Sequence, residues 1–267
     1  MPLRGDRKMR VKYLVAGVVV LITAGTFASP GYAKIDPGTI VGLWLFDEDN
    51  GDEVTDSSGN GLTGVAAAGV LERGEGKFGG ALDFAAGSRV HVEHNDILNL
   101  ETFTMTLWIR IESTGGAQVI AVKQTANPDR NYNIEIWDDG ARSSFASGGT
   151  AGAGSAKGPT TVMDGEWHHI ASTYDLKEFK LYVDGKLDKT QVNTQKPDTN
   201  SGPFVIGAFM NGGNSTNGLV DEVGLFSAPL EEGDILAIMN NGLAVATGIA
   251  PVSSAAKLTT TWAGIKA

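Results

Sequence analysis

The segment FTMTLWIRI, Phe103–Ile111, alternates with a period of two. Phe103, Met105, Leu107, Ile109 and Ile111 fall on one side, and Thr104, Thr106, Trp108 and Arg110 on the other. Successive side chains of an extended chain point to opposite faces, so this segment predicts a strand with one face in a core. The pattern recurs outward from it. In Tyr132–Trp137, Tyr132, Ile134 and Ile136 oppose Asn133, Glu135 and Trp137; in Phe179–Val183, Phe179, Leu181 and Val183 oppose Lys180 and Tyr182. Further apolar, β-branched segments are Ile40–Phe46, Val90–Val92, Gln118–Lys123, Trp167–Thr173, Phe204–Ile206 and Leu219–Phe226. Asp184-Gly185 and Asp139-Gly140 separate paired segments, and Asp-Gly takes the positive φ angles of a tight hairpin turn. Gly accounts for 36 of the 267 residues, about double the ~7% norm, which fits a chain full of turns. About a dozen antiparallel strands with turn signals between them predict an all-β fold, a two-sheet antiparallel jelly-roll sandwich. One C-terminal helix is expected, capped by Ser227, with Pro229 in its first turn, an Ile235, Leu236, Ile238 and Met239 stripe, and Gly242 at its end. Gly148–Gly158 and Asn193–Gly202 read as loops.

The chain has no Cys and a formal net charge of -10. That removes a disulfide scaffold, a thiolate metal site and a Cys nucleophile, and an acidic balance argues against nucleic acid as a partner. The first 33 residues differ: five basic residues against Asp6 give them +4, an uncharged apolar stretch runs from Tyr13 to Phe27, and Gly31 and Ala33 supply small residues before a cleavage point. This predicts an export signal over 1–33, a domain over 34–247 and a tail or linker over 248–267, placing the protein outside the cytoplasm, secreted or cell-surface associated. The alternative for the first segment is an uncleaved anchor. The domain without its signal carries −14.

Several segments together resemble one family. They are VGLWLFDE, the loop DSSGNG at Asp56–Gly61, GGALDF at Gly79–Phe84, FTMTLWIRI, DGEWHHIASTYD at Asp164–Asp175, LYVDGKL at Leu181–Leu187 and GLVDEVGLFSAPLEEGDI at Gly218–Ile235. In this order, from about residue 38 to 242, they resemble the laminin G-like domains of the concanavalin A-like lectin/glucanase superfamily in exported bacterial proteins. The resemblance implies a two-sheet jelly roll, a recognition role and, in many members, a structural calcium ion. It implies no particular substrate or reaction, since this fold carries lectins, adhesion modules and glycosidases.

Asp47, Glu48, Asp49, Asp52, Glu53 and Asp56 crowd into ten residues, and no Lys or Arg lies between Lys34 and Arg73. Such a cluster is solvated or shares a cation, and calcium, which takes about 6–8 oxygen ligands, is the natural one. The resemblance places a calcium between the first strand region and Asp221, so the expected ligands are Asp221 with Asp47, Glu48 or Asp56. The alternative is a solvated acidic rim. His168 and His169 are adjacent on a strand and point to opposite faces, so one is expected in the core and one at the surface rather than both on a metal. No catalytic residue is assigned. Glycosidases of this superfamily carry two or three carboxylates on one strand face, whereas Glu135 and Asp138 fall on opposite faces of a regular strand. Trp44, Trp108 and Trp167 are expected in core or inter-sheet packing. Trp137, with Asp138 beside it, is the candidate for stacking on a ligand. The expected role is non-catalytic recognition of a glycan or a cell-surface protein; the alternatives are a structural or adhesive spacer and, third, a glycoside hydrolase.

Overall fold

The computed structural model describes residues 35–49, 51–69, 72–85, 87–125 and 129–249. The expected export signal and nearly all of the expected tail lie outside the described residues. The strands in chain order are β1 (Ile40–Trp44), β2 (Glu53–Val54), β3 (Gly64–Ala68), β4 (Glu72–Glu75), β5 (Gly80–Phe84), β6 (Arg89–Val92), β7 (Phe103–Ile111) and β8 (Gln118–Gln124). They continue with β9 (Arg130–Trp137), β10 (Gly140–Ser147), β11 (Thr150–Lys157), β12 (His168–Tyr174), β13 (Glu178–Val183), β14 (Lys186–Val192), β15 (Phe204–Ile206) and β16 (Gly218–Phe226), and the helix α1 spans Glu232–Thr247.

The strands form two antiparallel sheets packed face to face, a jelly-roll sandwich. The first sheet runs β14-β13-β12-β7-β16-β5-β4, with β1 also on β16; the second runs β11-β10-β9-β8-β15-β6-β3-β2. The even-numbered face read from Tyr132–Ile136 and the odd-numbered face of Phe103–Ile111 meet between the sheets. There Phe103 lies 5.4 Å from Tyr132, 6.0 Å from Tyr174 and 5.9 Å from Phe179, ring centre to ring centre. Trp44 stacks on Phe204 at 5.1 Å and donates its indole N–H to the Leu62 carbonyl. A second apolar cluster lies on the outer face of the first sheet, where α1 covers Ala171, Tyr182 and Phe226 with Ile235, Ile238 and Leu243.

Three local expectations are corrected. Gly148–Gly158 is not a loop: Gly148 and Gly149 take φ of 58 and 73, and Thr150–Lys157 returns as β11 against β10. Its small side chains give little strand propensity, and cross-strand pairing to β10 supplies what local sequence lacks. Asn193–Gly202 does stay without strand, tied down where Asp198 accepts from the Gly148 and Gly149 N–H groups. The Asp184-Gly185 turn has both φ angles positive, but the other hairpin closes on Asp138-Asp139, with Gly140 already paired to Trp137. Gly140 is required there for space, because a Cβ would meet the Gly158 carbonyl oxygen at 2.0 Å. In the helix, Ser227 is not the cap and its hydroxyl instead donates to the Thr39 carbonyl. Gly242 is an internal break (φ 78, ψ 163) rather than the end, which comes at Gly248. The Leu243 N–H, freed by that break, is taken by the Glu222 carboxylate from β16, so a capping acid 21 residues upstream lets the helix restart.

Candidate functional site

Two regions carry chemistry. The first is the outer face of the second sheet at β9, β10 and β11. Glu135 is 3% exposed and accepts from Arg130 at 2.8 Å, from Asn133 at 2.5 Å and from the Trp137 indole N–H at 3.2 Å. Period-two alternation puts Asn133, Glu135 and Trp137 side by side, and the antiparallel register sets Arg142 opposite Glu135 and Ser144 opposite Asn133. Ser144 donates its hydroxyl to the Asn133 side-chain oxygen. The result is a fixed polar row ending in a partly exposed indole, with the Lys157 ammonium 5.5 Å from that ring. Farther along the sheet the same face is covered: Val119, Val122 and Val205 pack under Phe209 and Met210, and Arg130 lies 5.3 Å from the Phe209 ring. Asp138 does not join the row. It sits exposed at the rim, accepting from the Ser113 hydroxyl at 2.5 Å.

The second region is where β1 leaves the sheet. Asp221 is fully buried; its Oδ2 accepts from the Phe78 N–H at 3.0 Å and its Oδ1 has no partner. Burial pushes its carboxyl up to about 8, the Phe78 bond pulling the other way and Glu222 adding to the rise. Burial likewise pushes Glu222 up to about 7, with the Leu243 bond opposing and Asp47 reinforcing. Asp47 accepts from the Gly80 N–H at 2.9 Å. The turn carrying Phe78 and Gly80 is glycine-lined by necessity: a Cβ on Gly79 would lie 2.0 Å from Asp47, and one on Gly76 would lie 2.7 Å from Asp221 and 2.2 Å from the Gly80 carbonyl oxygen. Phe46 and Glu222, flanking the two acids, have φ of 57 and 53, a left-handed conformation that costs about 1–3 kcal/mol per non-glycine residue and clusters at functional sites.

Asp47 and Asp221 therefore reach one glycine-lined turn, whereas the other two expected ligands have partners of their own. Glu48 pairs with Arg73 at 2.8 Å and accepts from the Thr55 N–H. Asp56 accepts from the Leu43, Ser58 and Leu62 N–H groups at 3.1, 2.9 and 2.9 Å, pinning the DSSGNG loop to β1. Asp56→Ala is expected to leave these three donors unsatisfied and lower stability by about 3 kcal/mol, measured by urea unfolding. A loss under about 0.5 kcal/mol contradicts that role. Among the described residues no three Asp, Glu or His side chains converge on one point.

The paired histidines divide as expected. His169 is buried against the Trp108 ring with no hydrogen-bond partner for either ring nitrogen, and burial lowers its pKa to about 4 against the pull of Asp184. For His168, burial lowers the pKa, but Asp184 at 2.8 Å and Asp164 at 3.1 Å outweigh it and the net shift is upward. Trp44 lies between the sheets; Trp108 and Trp167 do not, and pack on the outer face of the first sheet, since Trp108 pairs with His169 and Asp221 on the side away from Leu107 and Ile109. The Arg130 and Asn133 partners of Glu135 were not singled out from sequence; the alternation that groups Asn133 with Glu135 and Trp137 was the available signal.

A profile described as the concanavalin A-like lectin/glucanases superfamily, laminin G type, matches residues 84–236. The chain belongs to this laminin G-like family. No curated protein matches the laminin G-like chain in sequence. Among solved structures it is similar to the binding domain of Paraclostridial Mosquitocidal Protein 1, with a TM-score of 0.63 and 18% identity over 76% of this chain and 52% of that one. It is also similar to domain 4 of AbnA, a GH43 extracellular arabinanase from Geobacillus stearothermophilus, in complex with arabinotriose, with a TM-score of 0.60 and 18% identity over 76% of this chain and 98% of that one. The botulinum neurotoxin serotype G binding domain matches with a TM-score of 0.60 and 14% identity, over 75% of this chain and 50% of that one. The laminin G-like chain thus spans about half the length of the toxin binding domains it matches. Among the described residues no helix is long and apolar enough to cross a membrane.

Proposed function

We propose that the protein is a non-catalytic, exported recognition module that binds a glycan on the outer face of its second sheet. One observation carries this reading: a partly exposed Trp137 whose indole is locked by Glu135, itself held by Arg130 and Asn133, beside Arg142 and Lys157. A rigid aromatic plane bordered by fixed hydrogen-bonding groups suits a sugar ring, which has an apolar C–H face and a polar edge. The arabinotriose complex of the AbnA domain supports the ligand class. Glycosidic cleavage asks for two carboxyl groups about 5–10 Å apart, one of them able to donate a proton. Glu135 is ion-paired to Arg130, and Asp138, the next carboxylate along the chain, sits exposed at the rim bonded to Ser113; this favours binding over catalysis.

We also propose that calcium binds at the turn of Gly76–Gly80. The orphaned Asp221 oxygen and the turn's intolerance of a Cβ fit a cation there. Asp221 and Asp47 would hold it, with loop carbonyl oxygens completing the shell of a hard ion. Bound there, it would neutralise buried charge and join β1, the β4–β5 turn and β16.

A glycan array probed with the protein, in calcium and in chelator, tests the function, with release of reducing sugar from each bound glycan measured in parallel. Binding to at least one glycan class without sugar release is expected. Binding to none, or turnover of any, overturns the proposal.

A further inference from the structure

On the outer face of the first sheet, beside the area that α1 covers, two rows of side chains cross the strands. Asp221, Trp108 and His169 form one row across β16, β7 and β12, and Asp83, Leu219 and Arg110 form the next across β5, β16 and β7. Over the first row lies a cleft of about 450 Å³ lined by Lys77, Phe78, Trp108, Trp167, Asp184 and Asn240 among others. Over the second lies one of about 200 Å³ that includes Asp83, Arg110 and Glu112. Arg110 stands 5.5 Å from the Trp167 ring, so the two clefts share a border. The larger is of the size that holds small ligands, about 300–1,000 Å³.

Trp108 is the floor. It is 4% exposed, and its indole N–H has no hydrogen-bond partner; buried donors are nearly always satisfied, and one that is not asks for an explanation. Phe78 meets its ring edge-on at 6.2 Å, and the Lys77 ammonium lies 4.6 Å over its face, with no ion pair among the described residues. A flexible, exposed lysine is therefore what a ligand would displace to reach the indole.

The charges around these rings are of both signs: Lys77 and Arg110 against Asp184, Asp83 and Glu112. That balance selects neither a polyanion nor a polycation. It fits a ligand that is uncharged, has an apolar face and carries hydroxyls on its edge. We propose that this groove is a second saccharide site, taking a short neutral oligosaccharide that packs against Trp167 and Phe78 while its hydroxyls meet Asn240, the cleft carboxylates and the unpartnered Trp108 N–H. It lies on the opposite sheet from the Trp137 face and does not depend on that face binding anything.

The test uses the full chain with its tryptophan indoles labelled with nitrogen-15 and assigned by single Trp→Phe replacements. Arabinotriose, cellotriose and mannotriose are each titrated to millimolar concentration. The Trp108 and Trp167 indole signals are expected to move together and to saturate with at least one of them. Trp167→Ala and Asn240→Ala, both at partly or fully exposed positions, are each expected to weaken that binding by about tenfold and to leave any Trp137 response unchanged. The proposal is overturned if no probe moves the Trp108 and Trp167 signals, or if their shifts keep the same affinity in both variants. Movement at Trp137 alone upholds the second-sheet reading and sinks this one.

Discussion

Phe103→Ala is expected to lower the unfolding free energy by about 4 kcal/mol and the melting temperature by about 10 °C. Phe103 is fully buried on β7 and touches rings from both sheets: Tyr132 on β9, and Tyr174 and Phe179 on β12 and β13. Two of its partners also stack on each other, Tyr174 and Phe179 at 4.6 Å, and both meet Phe145, at 4.9 and 5.3 Å. Truncation leaves a void bounded by rigid rings that cannot collapse into it, which is the circumstance in which large-to-small changes cost most. Urea denaturation with an unchanged m-value measures it. A loss below about 1 kcal/mol would show that the sheets are not held together at this cluster.

Asp221 carries the larger of the two raised carboxyl shifts beside the Gly76–Gly80 turn. Without calcium its carboxyl, raised from 3.8 to about 8 chiefly by burial, keeps in the folded state a proton that the unfolded chain has already released. Its contribution is full below pH 3.8 and is lost as pH rises through about 8, a change on the order of 5 kcal/mol. His169, lowered from 6.5 to about 4 by burial, runs the other way. Its contribution is full above pH 6.5 and falls away toward pH 4, by about 3 kcal/mol. The two oppose each other between pH 4 and 6.5. Above pH 6.5 Asp221 acts without that opposition and alone accounts for a loss of about 2 kcal/mol up to pH 8 in chelator, with Glu222, raised to about 7, and His168, also raised, adding to it in the same direction. Calcium at about 100 times its Kd should add about 2.7 kcal/mol at pH 8. Asp221→Asn keeps an acceptor for the Phe78 N–H and is expected to remove most of the loss above pH 6.5, leaving the smaller share of Glu222 and His168, and most of the calcium gain. If the variant keeps both, neither belongs to Asp221.

The sandwich was legible because a sheet with one face in a core writes a period of two into sequence. FTMTLWIRI and YNIEIW carry it without interruption, and both entered the inter-sheet core on the side the pattern assigns. β11 was illegible for the opposite reason: TAGAGSAK has no apolar side to alternate, and only pairing to β10 makes it a strand. In sequence Gly242 looks like a helix terminus, yet α1 continues past it to Thr247. The carboxylate that lets the helix continue comes from Glu222 on another element, and such long-range capping leaves no local mark. Of the expected ligands, Asp47 and Asp221 meet one turn, while Glu48 and Asp56 answer to Arg73 and to backbone N–H groups. Acidic crowding in sequence does not tell which carboxylates are already satisfied. Parity places Trp137 beside Glu135, but Arg130 has the other parity on the same strand, and its reach to Glu135 goes with a register shift of β8 against β9 at that end, which leaves no mark in the alternation. Trp108 is buried as expected, though on the outer face of its sheet beneath the turn carrying Lys77 and Phe78, whereas Trp167 is only partly buried.

Recognition on the Trp137 face is tested most directly by calorimetric titration of the array's strongest glycan into the wild-type protein and Trp137→Ala. A loss of affinity of about tenfold or more, with the variant's melting temperature unchanged within about 2 °C, is the predicted result. Equal affinity in the two proteins would contradict it.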